Sequence, residues 1–125
     1  MNNKEFIDKL TNTFPEIKEE VMDEDFEGLI TLQIGCFMRY TQKAIDTNNE
    51  ISINNSFQFV LDNLESVNDR IENALYISFL NKLSFTKNIS AKSLLPPKLL
   101  AAKNKMDEYD KAPHSEEVKK FLDSI

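Results

Sequence analysis

This chain is expected to fold as a single all-α domain of six to seven helices. Antiparallel helical hairpins should surround a central buried helix, as a bundle or a short superhelix. Three observations point there. Glycine occurs only twice in 125 residues, too seldom for hairpin-rich β folds. No alternating polar–apolar run is bounded by Asn-Gly or Asp-Gly turns. Apolar residues instead recur at intervals of three and four, the spacing of one buried helix face. The run ENALYISFLNKL, residues 72–83, carries apolar side chains on almost every side, as suits the middle of a domain.

The elements follow in order. A first helix is expected over residues 3–11, with Phe6, Ile7 and Leu10 on one face. Phe14-Pro15 breaks it, because the residue before proline avoids the helical region. Pro15 then suits the first position of a second helix over residues 15–22, where its missing N–H is no loss. Asp23 or Asp25 can cap a long third helix over residues 24–46. At 1.5 Å per residue that helix spans roughly 30 Å. Its broad apolar face holds Phe26, Leu29, Ile30, Phe37, Tyr40, Ala44 and Ile45. Gln33 falls inside that face and, once buried, must find partners; a nearby loop backbone is the expected one. Gly28 and Gly35 lie seven apart on the opposite side, where close approach of another helix would explain two glycines.

Residues 47–50 read as a polar loop. Asn54 or Ser56 can open a fourth helix with Phe57, Val60, Leu61, Leu64 and Val67 at helical spacing. Asn68 or Asp69 can start the fifth, which contains the ENALYISFL run. Its polar stripe is Arg70, Asn73 and Asn81, with Ile77 among them. A loop over residues 86–90 and the phrase SLLPPKLL follow. The two prolines fix an extended approach and then a helix start. That sixth helix should reach about Tyr109. Ala112-Pro113 interrupts it, and Ser115 can cap a last helix over residues 116–123. Residues 1–111 thus form the helical domain. Residues 112–125 add a terminal helix open to fraying. Phe37, Tyr40, Leu64, Leu75, Phe79 and Leu83 are expected in the core.

Composition excludes several classes. A chain this long buries enough surface for one core without metal or disulfide staples. Cys36 is the lone cysteine and sits in an apolar stretch, so a buried reduced thiol is expected. The N-terminus lacks a signal-peptide pattern, and no stretch approaches the ~20 apolar residues that cross a bilayer. A cytoplasmic protein without membrane contact is expected. The formal charge is −6. Residues 1–70 carry 6 basic and 14 acidic side chains, and residues 71–125 carry 9 and 7. Binding of a nucleic-acid backbone is not expected from that balance.

No catalytic set stands out. A Cys–His pair would need Cys36 and His114, one in an apolar helix and the other beside a proline. Glycine-rich phosphate cradles and zinc spacings are missing, so no cofactor and no metal are expected. Asp23, Asp25, Glu27 and Gly28 imitate the start of a calcium loop. The twelfth position would be Ile34, which offers no bidentate carboxylate. The sharper feature is the acidic run itself. Glu16, Glu19, Glu20, Asp23, Glu24, Asp25 and Glu27 stand against Lys18 alone. Acids near a helix N-terminus explain part of it. A solvated face is its plain reading; a basic protein partner is its functional one. Between Asn73 and Met106 the charges are all lysines: Lys82, Lys87, Lys92, Lys98, Lys103 and Lys105. Meeting the acidic run of a second copy, they would give a weak homodimer; otherwise the protein is a monomer.

Three phrases carry a resemblance: LQIGCFMRYTQKAI at residues 32–45, ENALYISFL at 72–80 and SLLPPKL at 93–99. Together with FPEI at 14–17 they resemble an uncharacterised family of small bacterial all-helical proteins. That family shows the same order of an FPEI phrase, an R-Y/F-T-Q/N phrase, an N-A-x-x-S phrase and a late L-L-P-P phrase. The resemblance covers about residues 5–105. It implies an all-helical domain and transfers no catalytic residue. Small, acidic, helical proteins of this kind are similar in style to immunity proteins of bacterial toxin systems.

The expected function is a non-catalytic protein-binding module of immunity or inhibitor type. Its acidic face, Glu16 to Glu27, would steer a basic partner. The alternative is a helical scaffold or regulatory module that binds a peptide in an inter-helix groove, with Arg39, Asn73 and Asn81 as its polar groups. An enzyme is the least expected class.

Overall fold

A computed structural model describes residues 1–111, with side chains to residue 109. The terminal helix expected over residues 116–123, with Ser115 and His114, lies outside the described residues. The protein is an all-α domain, and no strand occurs among the described residues.

Helix α1 spans Asn3–Thr13. Asn2 caps it: its Oδ1 accepts from the Glu5 amide at 2.8 Å, and the Asn2 amide donates to Glu5 Oε1 at 3.3 Å. This reciprocal pair satisfies two of the orphan donors at the helix start. Phe14-Pro15 ends α1 as expected. The chain then makes a 3₁₀ turn, Pro15–Ile17, before the single-turn α2, Lys18–Val21.

Helix α3 spans Ile30–Asp46 and starts six residues later than the sequence reading placed it. Asp23 does cap, but it caps a separate 3₁₀ turn, Glu24–Phe26, by accepting from the Asp25 amide at 2.8 Å. Gly28 then adopts φ +75, a left-handed conformation that a helix interior does not admit. So Gly28 is a turn glycine, not half of a helix-contact stripe. A Cβ on Gly35 would meet the Arg39 guanidinium at an ordinary 3.5 Å, so no second helix presses there either. Phe26 and Leu29 fall outside α3 and are only partly covered.

Helix α4 spans Glu50–Asn63, opening four residues before the earlier of the two expected starts. Asn49 caps it by accepting from the Ser52 amide. Asn48 takes φ +55 to complete the tight reversal out of α3. The polar loop is therefore one residue shorter than its composition implied.

Asn68 caps α5, Asp69–Ala74, accepting from the Ile71 amide at 2.9 Å. The ENALYISFL run does not continue as an α-helix. From Leu75 to Leu80 it is π-helical. The Asn81 amide bonds the Tyr76 carbonyl at 2.9 Å, an i→i+5 step. The pattern of apolar residues explains the widening. At 100° per residue Leu80 would sit about 140° around the helix from Leu75. An i→i+5 repeat brings it back above Leu75, and both are fully buried. The helix is not enclosed on every side. Arg70, Asn73 and Ile77 face solvent along the expected polar stripe.

A 3₁₀ segment, Ile89–Leu94, overlaps the end of the loop expected over residues 86–90 and runs into the SLLPPKLL phrase. Leu95 is extended ahead of the prolines, and α6 runs Pro97–Lys111.

Helices α3, α4 and α5 run up, down and up. Phe37 meets Phe59 of α4 and Phe79 of the π segment. Further along α3, Tyr40 reaches back to Ser52, near the start of α4. Gln42 reaches forward, its Nε2 donating to the Ser84 carbonyl and its Oε1 accepting from the Ser84 amide, each at 2.8 Å. Phe37 is thus the hub of the core, stacked on Phe79 at 4.6 Å and touching Phe14 and Phe59. Phe37, Leu64, Leu75, Phe79 and Leu83 are all buried. Tyr40 is only partly so, because its hydroxyl reaches the surface to donate to Glu16 Oε2 at 2.8 Å.

Candidate functional site

The acidic run is spread over three short pieces: the 3₁₀ turn at Pro15, α2, and the residues leading into α3. Short turns leave few intrahelical partners, so these carboxylates point outward. Glu16, Glu19, Glu20, Asp23, Glu24, Asp25 and Glu27 are all exposed. Alternating with them, Ile17 and Val21 are buried and pin the segment to the core.

Asp23 caps the 3₁₀ turn as described above, and two more of the seven are engaged. Glu20 pairs with Arg39 of α3 at 2.5 Å. The Arg39 hydrogen bond holds the Glu20 carboxyl below its ordinary pKa, and the same bond raises Arg39. Arg39 also donates to Cys36 Sγ at 3.4 Å, and the thiol donates to the Leu32 carbonyl at 3.4 Å. Burial pushes the Cys36 thiol up to about 11, and the Glu20 carboxylate adds to the shift. That is an inert thiol, not a nucleophile. Glu16 accepts from Tyr40, whose hydroxyl is raised first by burial. The remaining carboxylates form no ion pair among the described residues.

The segment also exposes apolar surface. Met22, Leu29 and Leu32 are about half exposed, at 50%, 49% and 47%. Nothing in the spacing marks them as surface residues, since Leu29 matches a core position of the longer helix first expected. The left-handed Gly28 shifts the start of α3 and turns Leu29 outward.

Below Met22 a cavity of about 490 Å³ opens between α1 and the acidic segment. Ile7 and Met22 supply apolar walls. Asp8, Glu24 and Glu27 supply carboxylates, and Lys4 one ammonium. Gln33 closes one side. It is 6% exposed, and its Nε2 donates to the Val21 carbonyl at 3.3 Å. A buried amide satisfied by backbone was expected at Gln33. Its neighbours from α1 were not, because Lys4, Ile7 and Asp8 lie more than twenty residues away in the chain.

A second groove, about 540 Å³, runs between α1 and α4 past Lys9, Glu16, Tyr40, Asn55 and Asp62. Asn63 at its edge is buried, with Nδ2 donating to the Phe59 carbonyl at 2.7 Å and Oδ1, sealed from solvent, unpaired among the described residues.

The other expected groove residues are dispersed. Arg39 belongs to the α2–α3 seam and Asn73 is exposed on α5. Asn81 closes the π segment, where its carbonyl accepts from the buried Lys103 of α6 at 3.3 Å. Lys103 also pairs with Asp107, which Lys92 shares. Lys87 and Lys98 pair with Asp46 and Glu65. Most of the lysine set is therefore already partnered. None of the cavities described above is lined by Arg39, Asn73 or Asn81.

Among the described residues no three His, Cys, Asp or Glu side chains converge as a metal site. No helix among them is long and apolar enough to cross a membrane.

A family model matches residues 7–111, this helical architecture apart from the cap and first turn of α1. The chain belongs to DUF7674, a domain of unknown function. No curated protein and no solved structure matches it. In this member FPEI forms the turn between α1 and α2, and LLPP the entry to α6.

Proposed function

We propose that this DUF7674 protein is a non-catalytic protein-binding module that engages a basic partner through the face built by residues 16–27. The observation that supports it is the make-up of that face. Seven exposed carboxylates share their stretch of chain with Met22 and lie just ahead of Leu29 and Leu32, all three half-exposed apolar residues. Exposed apolar side chains beside charged ones are the makings of a recognition surface. Like charges at this density repel one another, and a cationic partner relieves that repulsion. The carboxylates would steer the encounter and the apolar side chains would hold the complex. An immunity or inhibitor protein of a bacterial cytoplasm, covering a basic toxin or enzyme, fits this reading. The phrase order from FPEI to LLPP supports the bacterial assignment.

Binding a peptide in an inter-helix groove is the second reading, and the α1–α4 groove, with Lys9, Glu16, Asn55 and Asp62 along it, favours it. The test is affinity capture in the source cell. The bait is wild-type protein beside a Glu19→Lys, Asp23→Lys, Glu24→Lys, Glu27→Lys variant, which spares the Glu20–Arg39 pair. A basic protein retained by wild type and lost by the variant is the expected result. Equal capture by both baits, with the variant folded by circular dichroism, would overturn the proposal.

A further inference from the structure

We infer that the cavity between α1, the acidic segment and α3 receives one cationic side chain, a lysine or arginine of a protein partner. This rests on the reading of the acidic face as the binding surface and names what that surface grips.

The Val21 carbonyl can only accept, so the Gln33 amide must turn its Nε2 toward it. The Oε1 then has no hydrogen-bond partner among the described residues, and it is not sealed from solvent. Gln33 as a whole is 6% exposed and lines the cavity. An acceptor held this way calls for a ligand that brings an N–H or O–H donor. Carboxylates Asp8, Glu24 and Glu27 in the same lining favour a positive one. Lys4 offsets one of these charges and leaves the lining net negative.

The walls narrow the class further. Ile7 and Met22 offer apolar surface leading in from the exposed edge of Met22. Lysine and arginine have this form, an apolar stem carrying a charged head. An anion would face three carboxylates. A purely apolar side chain would cover Gln33 Oε1 without pairing it, at a cost comparable to a lost hydrogen bond. Gly28 keeps one wall open, since even a Cβ there would meet nothing within 4 Å.

The test uses the full chain and capped tripeptides, acetyl-Gly-Arg-Gly-amide and acetyl-Gly-Lys-Gly-amide. Controls carry norleucine or glutamate in the middle. Binding is followed by the NMR shifts of the Gln33 side-chain amide and the Gly28 backbone amide. Saturable shifts at both, with the arginine or lysine peptide and neither control, are expected. Glu27→Gln and Gln33→Met should each weaken that binding about fivefold, the equivalent of one hydrogen bond. Glu27 is exposed, so the first variant keeps the test open if the second fails to fold. Shifts that spare Gln33, or equal shifts with norleucine, would overturn the inference. Hexalysine separates the two levels of the argument. If Glu19→Lys with Asp23→Lys weakens hexalysine binding while Gln33→Met and Glu27→Gln do not, the cavity inference fails and the acidic-face reading stands. If no acidic-face variant weakens it, the reading itself fails.

Discussion

Gln33 of α3 donates its side-chain Nε2 to the carbonyl of Val21, the last residue of α2, at 3.3 Å. This bond ties the acidic segment to the long helix from beneath, while the Glu20–Arg39 pair ties it at the surface. The carboxylates therefore ride on a segment fixed at two points, and the proposed recognition face is preorganised. Binding on such a face loses less ordering entropy than binding by a floppy acidic tail.

Phe37→Ala should be the most damaging of single core substitutions. Phe37 is fully buried, stacks on Phe79, and touches rings from the α1–α2 turn and from α4. Losing a buried phenylalanine costs about 3–5 kcal/mol. Urea unfolding should show the midpoint falling accordingly. A loss below about 1 kcal/mol would mean that the core is organised elsewhere.

The π segment predicts an unusual tolerance. Deleting Ile77, which is partly exposed, should convert Leu75–Leu80 to an α-helical repeat and leave later residues in register. Deleting Met38 from α3 should rotate every later α3 side chain by about 100° and unfold the protein. Circular dichroism and thermal melts compare the two. Equal damage from both deletions would contradict the role given to the π turn.

Cys36 should be slow to react. With its pKa at about 11, its thiolate fraction at pH 8.5 falls roughly 100-fold below that of a free thiol. Ellman's reagent should label the native protein at least that much more slowly than the urea-unfolded one. The sign for stability follows from the same shift. A thiol whose pKa is higher folded than unfolded favours the folded state below pH 9.0, and that contribution is lost as pH rises toward about 11. Cys36→Ala should flatten that part of the pH–stability curve.

The sequence was legible where periodicity and caps agree. Phe14-Pro15, Asn68 and the Pro96-Pro97 entry all mark boundaries that the structure keeps. It misled where one backbone angle decides. Residues 24–46 carry a continuous helical pattern, yet Gly28 at φ +75 divides it, and no pattern of side chains announces that angle. The π turn was hidden for a related reason. Apolar residues on every side read equally as a fully buried α-helix or as a helix that changes its repeat. Within the candidate site, the carboxylates were visible as a run. The cavity was not, because it forms only when Lys4, Ile7 and Asp8 of α1 meet Gln33 of α3 across folded space.

The central claim is that the residue 16–27 face holds a basic protein. The most direct measurement is calorimetric titration of the captured partner into wild-type protein and into the Glu19→Lys, Asp23→Lys, Glu24→Lys, Glu27→Lys variant. The account predicts that four reversed charges weaken binding at least about tenfold, and that the wild-type affinity falls as salt is raised. Equal affinities for the two proteins at low salt would contradict it.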